Sequence, residues 1–319
     1  MVCLVGSAQY RSWLGSDDLL ELRPGEGELS GLALANDHLV LARMDEADKQ
    51  DVVAMDLENG RAWLLATGPD LDWLAEDGKV VLAEAKEHET TFEFFDLNSG
   101  HEQHLSTGDR CHKMLHGFDG RHLDFTRFAC GGRSEQRVIY DLATGTVLEV
   151  DTLLQKLGRD GRIDPIALEQ GQYFVTSRTD GRPNAPVDLF AIDLQSREPT
   201  LLAAGLSWMP MEVQVDGDTA WYDAGNDDYL WDGSRFSKHS QASAAILGHG
   251  RIAYTVDYMF PEPLLLEDLE TGSVRRVPSA DVEVTTLFDL QGQWMAAEVV
   301  PAGDEYYDAE RARILLWRL

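Results

Sequence analysis

Carboxylates and aromatic rings share several loops that the sequence places between strands. Asp45, Glu46 and Asp48 lie in one loop, and Asp227 and Asp228 lie in another. Two further loops combine both residue types: Asp257, Tyr258 and Phe260 in one, and Asp304, Glu305, Tyr306, Tyr307 and Asp308 in the other. Carboxylates attract Lys and Arg side chains, and aromatic faces stack on the same cations. Brought together by the fold, these loops would form a surface that binds a basic protein partner.

The same chain contains residue types that bind metal ions. Asn226-Asp227-Asp228 and the pair Asp45 and Asp48 offer the oxygen ligands that hard cations prefer, but the Asp-x-Asp-x-Asp-Gly spacing of a calcium loop is absent. Cys111-His112 and Cys130 offer ligands suited to zinc, without a fourth. We therefore predict no bound metal and no cofactor, and we interpret the cysteines as buried and inert.

Local motifs of catalysis and nucleotide binding are absent from the sequence. The chain lacks Gly-x-Ser-x-Gly, Gly-x-x-x-x-Gly-Lys-Ser/Thr and His-Glu-x-x-His. His101-Glu102-Gln103-His104 has the wrong spacing for the zinc motif and falls on a predicted strand. An active site assembled from distant residues leaves no such motif, so an enzyme remains an alternative.

A repeated turn organises the elements that carry these loops. Asp-Leu-x-x-Gly follows a run of apolar and aromatic residues four times, and a degraded copy ends in Arg instead of Gly. The copies begin at Asp56, Asp96, Asp141, Asp268 and, for the degraded copy, Asp193. The first three are 40 and 45 residues apart, a period typical of arrays of small sheets. The Asp side chain can accept backbone N–H groups, and Gly can adopt the left-handed conformation.

A second landmark lies about 20 residues before each Asp-Leu turn, where a tight turn separates two apolar strands. We identify seven of these turns: Asn36-Asp37, Asp77-Gly78, Asp119-Gly120, Gln170-Gly171, Asp216-Gly217, His249-Gly250 and Gln291-Gly292. Each repeat therefore reads strand a, tight turn, strand b, variable loop, strand c, Asp-Leu turn, strand d. Seven copies predict an all-β chain with seven four-stranded antiparallel blades.

The two ends of the repeat array complement each other. The seventh repeat stops after its third strand, residues 314–319, so its strand d is missing. Leu19 to Leu22 precedes the first repeat and belongs to no repeat, which predicts that it supplies the missing strand and closes a ring. The pattern resembles the seven-bladed β-propellers, with turns similar to WD40-like and quinoprotein-like repeats. We predict a single domain over residues 1–319, with an extension at 1–16 and the blades at 17–319.

The net charge and the cysteine content further limit the possible functions. Lys and Arg total 27 and Asp and Glu total 56, giving a formal net charge of −29. That charge repels nucleic acid and anionic membranes, so neither is an expected partner. Three cysteines do not indicate a disulfide framework, and no apolar window is long enough to span a membrane. We expect a cytoplasmic protein that is monomeric on its own.

Three function classes remain after this survey, and one of them is a worn propeller with a structural role inside a larger complex. The first is a non-enzymatic propeller that grips a basic protein through the acidic loops, for example an immunity protein or inhibitor that blocks a toxin or enzyme, or an adaptor. The alternative is a lactonase-like propeller hydrolase that uses carboxylates and a divalent ion in its central channel. The charge and the missing motifs favour the first class. Its predicted binding residues are the acids and aromatics of the four loops named above.

Overall fold

The structure is a computed structural model that describes most of the chain. The described residues are 12–13, 19–22, 28–45, 47–69, 71–86, 89–105, 111–128, 135–157, 163–178, 182, 185–206, 212–223, 228–231, 236–238, 244–255, 264–277, 282–301 and 313–319. They form seven antiparallel sheets in which nearly every strand is a neighbour of the next in sequence. The chain is thus all-β and has the predicted seven-bladed β-propeller fold.

The first three blades follow the predicted order of strands a to d. Two short strands precede them, β1 (Ser12–Trp13) and β2 (Leu19–Leu22). Blade 1 contains β3 (Glu28–Ala35), β4 (His38–Met44), β5 (Gln50–Asp56) and β6 (Ala62–Gly68). Blade 2 contains β7 (Leu71–Glu76), β8 (Lys79–Ala85), β9 (Thr90–Asp96) and β10 (His101–Leu105). Blade 3 contains β11 (His112–Phe118), β12 (His122–Phe128), β13 (Gln136–Asp141) and β14 (Thr146–Glu149).

The remaining blades repeat the pattern after a short helical segment, α1 (Val150–Leu154), which runs into a 3-10 turn at Gln155–Leu157. Blade 4 contains β15 (Ile163–Glu169), β16 (Gln172–Arg178), β17 (Val187–Asp193) and β18 (Pro199–Leu206). Blade 5 contains β19 (Glu212–Asp216), β20 (Thr219–Asp223), β21 (Asp228–Trp231) and β22 (Phe236–Lys238). Blade 6 contains β23 (Ala244–Gly248), β24 (Arg251–Thr255), β25 (Leu264–Asp268) and β26 (Ser273–Val277). Blade 7 contains β27 (Val282–Gln291), β28 (Trp294–Pro301) and β29 (Arg313–Arg318).

Blade 7 receives its outer strands from the start of the chain. β2 pairs antiparallel with β29, with Leu19 opposite Trp317 and Leu22 opposite Ile314. β1 then pairs with β2, so this sheet has five strands where the sequence predicted four. Closure of the ring by this pairing stays a prediction, as does the assignment of the whole chain to one domain.

Most tight turns form as the sequence predicts, with local corrections. Asp77-Gly78, Gln170-Gly171 and His249-Gly250 have positive φ at both residues, the geometry that suits a two-residue hairpin. In blades 5 and 7 the turns are Gly217-Asp218 and Gly292-Gln293, one residue later than predicted. In each case the glycine takes the first central position, where its φ is positive, and the polar residue before it ends strand a.

The described core divides between two compact units. Unit 1 comprises residues 1–84, 93–104 and 242–319, and unit 2 comprises residues 85–92 and 105–241. Within each unit, apolar side chains from neighbouring sheets form shared layers. Leu34 and Leu39 of blade 1 pack with Trp294 and Leu316 of blade 7 in unit 1. The inward face of each strand therefore provides the burial that stabilises the fold.

Tryptophans contribute to these layers. Trp294 is buried between blades 7 and 1, and Trp63 and Trp73 pack against the layer between blades 1 and 2. Gly31 permits this approach, since a Cβ at that position would lie 2.7 Å from Cζ2 of Trp73. A substitution there would force the indole to move.

The helical segment is a feature that the repeat pattern did not predict. Val150 and Leu153, three residues apart, both bury their side chains in the layer shared by blades 3 and 4 within unit 2. One helical turn places two such residues on the same face, so the segment caps this layer. No helix in the described part of the chain is long and apolar enough to cross a membrane.

Candidate functional site

The acidic loop surface predicted from the sequence is described only in part. Asp45 accepts backbone N–H groups of Ala47 and Lys49, each at 2.9 Å, through one carboxylate oxygen. These hydrogen bonds lower the pKa of Asp45. Asp48, at the same turn, is exposed and has a φ of 57°. Asp45 thus closes its own loop, which is a structural role.

The other predicted binding residues give no contacts to report. Asp228 begins β21 and its side chain is outside the description. Ten more lie outside the described residues: Glu46, Asp227, Asp257, Tyr258, Phe260, Asp304, Glu305, Tyr306, Tyr307 and Asp308. Their convergence on one surface stays a prediction.

The interpretation of Cys111 as an inert thiol is wrong. Cys111 is buried and disulfide-bonded, and its partner lies outside the described residues. An odd number of cysteines excluded a fully paired framework but not a single bridge. While the bridge is intact, Cys111 has no thiolate to offer the zinc site that the sequence raised and rejected. Among the residues described, no group of three or more His, Cys, Asp or Glu side chains is placed to share a metal ion.

At the opposite end of the strands, the Asp-Leu turns form as predicted. Asp141 accepts the N–H groups of Ala143 at 2.8 Å and Thr144 at 3.3 Å, and its neighbour Arg121 adds a 2.9 Å ion pair. The Arg121 hydrogen bond, more than the opposing burial, lowers the pKa of Asp141 to about 2. The degraded copy keeps the same shape because Arg197 adopts a φ of 61°.

The leucine of each Asp-Leu turn connects it to the tight turn of its own blade. Leu57 donates its N–H to the carbonyl of Asp37 at 2.9 Å, and Leu269 donates to Gly250 at 2.9 Å. Leu319 donates to Gln293 at 2.8 Å and so occupies the equivalent position in blade 7, which lacks the Asp-Leu-x-x-Gly sequence. The two kinds of turn therefore form one hydrogen-bonded surface at this end of each blade.

Within unit 1, these turns surround an open cavity of about 620 Å³, which we call the turn cleft. Its polar lining is Asn36, Asp37, Asn98, His249, Arg251 and Gln293. Gly292 and Leu319 complete the wall. The volume is in the range typical of small-molecule sites. The lining combines a carboxylate, a guanidinium, an imidazole and three side-chain amides.

Asp37 is held in place by one of its two carboxylate oxygens. Oδ1 accepts the side-chain N–H groups of Gln293 and of Trp294, each at 3.2 Å. No donor from the described part of the chain reaches the second oxygen, Oδ2. The half-buried carboxylate therefore has a fixed orientation and an open acceptor beside the cleft.

The tight turn that carries Asp37 is anchored from strand β27. Gln291 accepts the backbone N–H of Asn36 at 2.6 Å and donates to the carboxylate of Glu76. Two residues earlier, Asp289 accepts the backbone N–H of Leu34 at 2.6 Å. Neighbouring inner strands are thus linked by side chains, which fixes the wall of the cleft on the blade 1 side.

The cationic wall of the cleft comes from blade 6. Arg251 begins β24 directly after the tight turn, and exposed His249 lies at the turn with a φ of 52°. Asp268 is the cross-strand neighbour of Arg251 and feels its positive charge. No carboxylate of the described residues lies within ion-pair distance of the guanidinium. Arg251 is therefore available to an anion.

The described part of unit 2 contains an ion pair, Asp124 with Arg137, that does not face an open cavity as the charged side chains of the turn cleft do. The Asp124 carboxylate is only 1% exposed and accepts a 2.6 Å hydrogen bond from Nη2 of Arg137. The guanidinium also lies 5.8 Å from the ring centroid of Tyr173. Burial opposes the Arg137 charge, but Asp124 more than offsets it, so the pKa of Arg137 is raised. This pair is enclosed, which assigns it to the stability of the fold.

A hydroxyl–imidazole contact in unit 2 has the residue types of an activated nucleophile. Nε2 of His116 lies 2.7 Å from Oγ1 of Thr126. Thr126 is buried at 3% exposure, so a substrate carbonyl has no access to its hydroxyl. His116 is the residue of β11 at which the register against β12 shifts, between Leu115 and Gly117. This contact therefore gives no catalytic site.

Sequence reasoning identified part of the turn cleft without recognising it. Asn36-Asp37, His249-Gly250 and Gln291-Gly292 were predicted only as turns. Four of the seven turns have Asn, His or Gln in a position where Asp would suffice for the backbone, and three of these four lie at the cleft, in blades 1, 6 and 7. That excess of hydrogen-bonding side chains on one group of blades was the available signal.

Comparison with known proteins gives similarity of fold. No family model and no curated protein matches the sequence. An acylaminoacyl peptidase from Pyrococcus horikoshii is similar in structure, with a TM-score of 0.61 and 13% sequence identity. The match covers 91% of this chain and 51% of the peptidase chain. The β-propeller domain of the Trilobed protease from Pyrococcus furiosus matches over 91% and 92%, with a TM-score of 0.62 and 13% identity. A Mycobacterium tuberculosis puromycin-hydrolyzing peptidase matches over 88% and 52%, with a TM-score of 0.53 and 12% identity.

These matches correct the main function predicted from the sequence. The chain spans about half the length of the two full peptidases above and nearly all of the protease propeller domain. Because the three neighbours named above are a protease propeller domain and two peptidases, the prediction of a non-enzymatic protein that grips a basic partner is contradicted. Negative charge and missing local motifs were weak grounds, since both are compatible with a propeller that works in hydrolysis.

Proposed function

We propose that this chain is the propeller of a hydrolase that acts on peptides or related amides. The observation that carries the proposal is the match to a propeller that is itself a domain of a protease, over 91% of one chain and 92% of the other. Matches to an acylaminoacyl peptidase and a puromycin-hydrolyzing peptidase point to the same chemical class. In all three cases the bond at issue is an amide.

The proposal assigns substrate binding to this chain and bond cleavage to groups outside the described residues. The contact between His116 and Thr126 is closed to substrate, as its burial requires. A propeller presents loops from several blades, so it can contact an extended peptide at several side chains. Binding energy gathered away from the reacting bond positions that bond for cleavage.

Two further expectations from the sequence belong to this proposal. We propose a monomer that binds neither nucleic acid nor membranes, since the net charge of −29 repels polyanions. The cytoplasmic location also stays a proposal, and the disulfide of Cys111 weighs against it, because such bridges are typical of oxidising compartments. Fractionation of the source cell with an antibody to this chain decides the location.

Binding of blocked peptides to the purified chain tests the proposed role. Tetrapeptides with an acetylated amino end and an amidated carboxyl end mimic the interior of a polypeptide. We expect saturable calorimetric binding for some members of a panel with varied side chains. The proposal is contradicted when no member of a panel that spans apolar, acidic and basic residues binds.

A further inference from the structure

The turn cleft has features of a ligand site that the proposed function does not use. It lies at the tight-turn end of the blades in unit 1 and is lined by side chains whose hydrogen-bonding capacity is only partly satisfied. Arg251 contributes a cation without an ion-pair partner among the described residues. Asp37 contributes an anion with one open oxygen, Oδ2.

One of the two charges, the Asp37 carboxylate, is held in a fixed place. Gln293 and Trp294 both hold Oδ1 of Asp37, so the carboxylate cannot rotate freely. Arg251 is half-buried at the start of β24, and the neighbouring tight turn places His249 on the same wall. Preorganised charged groups bind a ligand at a lower entropic penalty than flexible surface groups do.

Neutral amides complete the lining. The side-chain amides of Asn36 and Asn98 approach each other at Gly78, where a Cβ would lie 2.4 Å from Nδ2 of Asn98 and 3.4 Å from Nδ2 of Asn36. Gly78 therefore leaves room for both amides at the wall. Amide groups of this kind donate to and accept from peptide N–H and C=O groups.

We propose that the turn cleft binds a small zwitterion, an amino acid or short peptide with free amino and carboxyl ends. The carboxylate pairs with Arg251 beside His249, and the ammonium pairs with Oδ2 of Asp37. The Asn36 and Asn98 amides meet the polar groups between the two ends. A guanidinium binds a carboxylate through two parallel hydrogen bonds, which gives this end its selectivity. The proposal does not depend on the proposed function, because it concerns free ends and not an internal amide bond.

Calorimetric titration with glycylglycine and two blocked analogues tests the site. N-acetylglycylglycine lacks the ammonium, and glycylglycinamide lacks the carboxylate. We expect saturable binding of glycylglycine and about tenfold or greater weakening for each analogue, the loss typical of one charge-assisted hydrogen bond.

Two substitutions assign the ends of the ligand. Arg251→Gln should weaken glycylglycine about tenfold or more and leave the residual affinity for glycylglycinamide unchanged, because the amide end has no charge to lose. Asp37→Asn should weaken glycylglycine and spare N-acetylglycylglycine, since an Asn oxygen can still accept from Gln293 and Trp294. Arg275→Gln, an exposed arginine on β26, serves as the control and should bind like the wild type.

The proposal fails on either of two results. One is no saturable binding of glycylglycine up to about 10 mM, a concentration that detects even millimolar affinity. The other is binding that neither Arg251→Gln nor Asp37→Asn changes in variants that melt like the wild type. Should Asp37→Asn fail to fold, Arg251→Gln with the two analogues still decides the carboxylate end.

Discussion

Unit 1 and unit 2 each bury a carboxylate, and they compensate its charge in opposite ways. In unit 1, Asp289 accepts two backbone N–H groups, from Leu34 at 2.6 Å and from Leu290 at 2.7 Å, and no cation of the described residues pairs with it. In unit 2, Asp124 is paired with the Arg137 guanidinium at 2.6 Å. Burial raises the pKa of Asp289 to about 6, despite the two hydrogen bonds.

The difference teaches what each carboxylate does for its surroundings. Hydrogen bonds from backbone N–H groups alone do not fully offset the free-energy cost of burying a charge. Asp289 therefore titrates at mildly acidic pH. A paired guanidinium does offset that cost, but the stability of the buried Asp124 carboxylate then depends on one cation, Arg137. The contribution of Asp289 in unit 1 to the free energy of unfolding should therefore depend on pH. The contribution of Asp124 in unit 2 should depend on whether Arg137 is present.

Removing the cation in unit 2 should have the largest effect. Arg137→Leu leaves the Asp124 carboxylate buried without its cation, which should lower the free energy of unfolding by about 3–5 kcal/mol at pH 7. Urea unfolding followed by circular dichroism measures the loss. Arg121→Leu is the matched control, since Arg121 is 58% exposed in its pair with Asp141 and should matter much less.

A double variant sharpens this prediction. Replacing Asp124 as well, in Arg137→Leu with Asp124→Leu, removes the uncompensated charge and should recover a large part of the stability. Equal losses for Arg137→Leu and Arg121→Leu would show that the buried pair has no special role.

The buried Asp289 carboxylate in unit 1 should make the free energy of unfolding depend on pH. Because the folded-state pKa of Asp289 is raised from 3.8 to about 6, its favourable contribution is fully present below pH 3.8 and is lost as pH rises through 6. The loss by pH 7.5 is about 2–3 kcal/mol, taking 1.36 kcal/mol per pKa unit. Asp289→Asn should remove this decline, which urea unfolding between pH 4 and pH 7.5 measures. Asp218→Asn, an exposed acid at a turn, should keep the wild-type slope.

The result that counts against this assignment is a wild-type pH slope in Asp289→Asn. In that case the carboxylate would carry its charge throughout the range, and its backbone hydrogen bonds would compensate burial as well as the guanidinium in unit 2 does.

The smallest effect is expected at a partly buried carboxylate that accepts hydrogen bonds from both a guanidinium and the backbone. Asp141 accepts hydrogen bonds from Arg121 and from the backbone, and its pKa is lowered to about 2. Its contribution is therefore present above the ordinary pKa of 3.8 and is lost as pH falls through about 2. Asp141→Asn should cost about 1 kcal/mol at pH 7, after allowance for solvent screening, and progressively less as pH falls through about 2. If the stability cost of Asp141→Asn instead grew as the pH fell, the lowered pKa of Asp141 would be contradicted.

The sequence predicted the repeated parts of the fold and missed the side chains that act between blades. Asp-Leu-x-x-Gly determines its own turn through contacts within a few residues, so spacing was enough to find it. Asp289 and Asp124 look like ordinary polar residues of strands, because their partners lie on other strands or blades. The disulfide of Cys111 likewise depends on a residue distant in sequence.

The candidate site was less predictable than the fold. The turn cleft arises from Asp37, Asn98 and Arg251, which no motif connects, and only the arrangement of blades brings them to one wall. The predicted acidic loops drew attention because charge is visible in a sequence. No motif of the repeat indicated hydrolysis, because the same propeller scaffold serves many unrelated functions.

Amide hydrolysis by the protein isolated from its source cell tests the central claim most directly. Release of free amines from puromycin and from acetylated peptides would be followed before and after removal of the protein with an antibody to this chain. We expect hydrolysis to be present and to be removed together with the chain. Hydrolysis that stays undiminished in the depleted fraction, or that is absent from the isolated protein for every substrate, would contradict it.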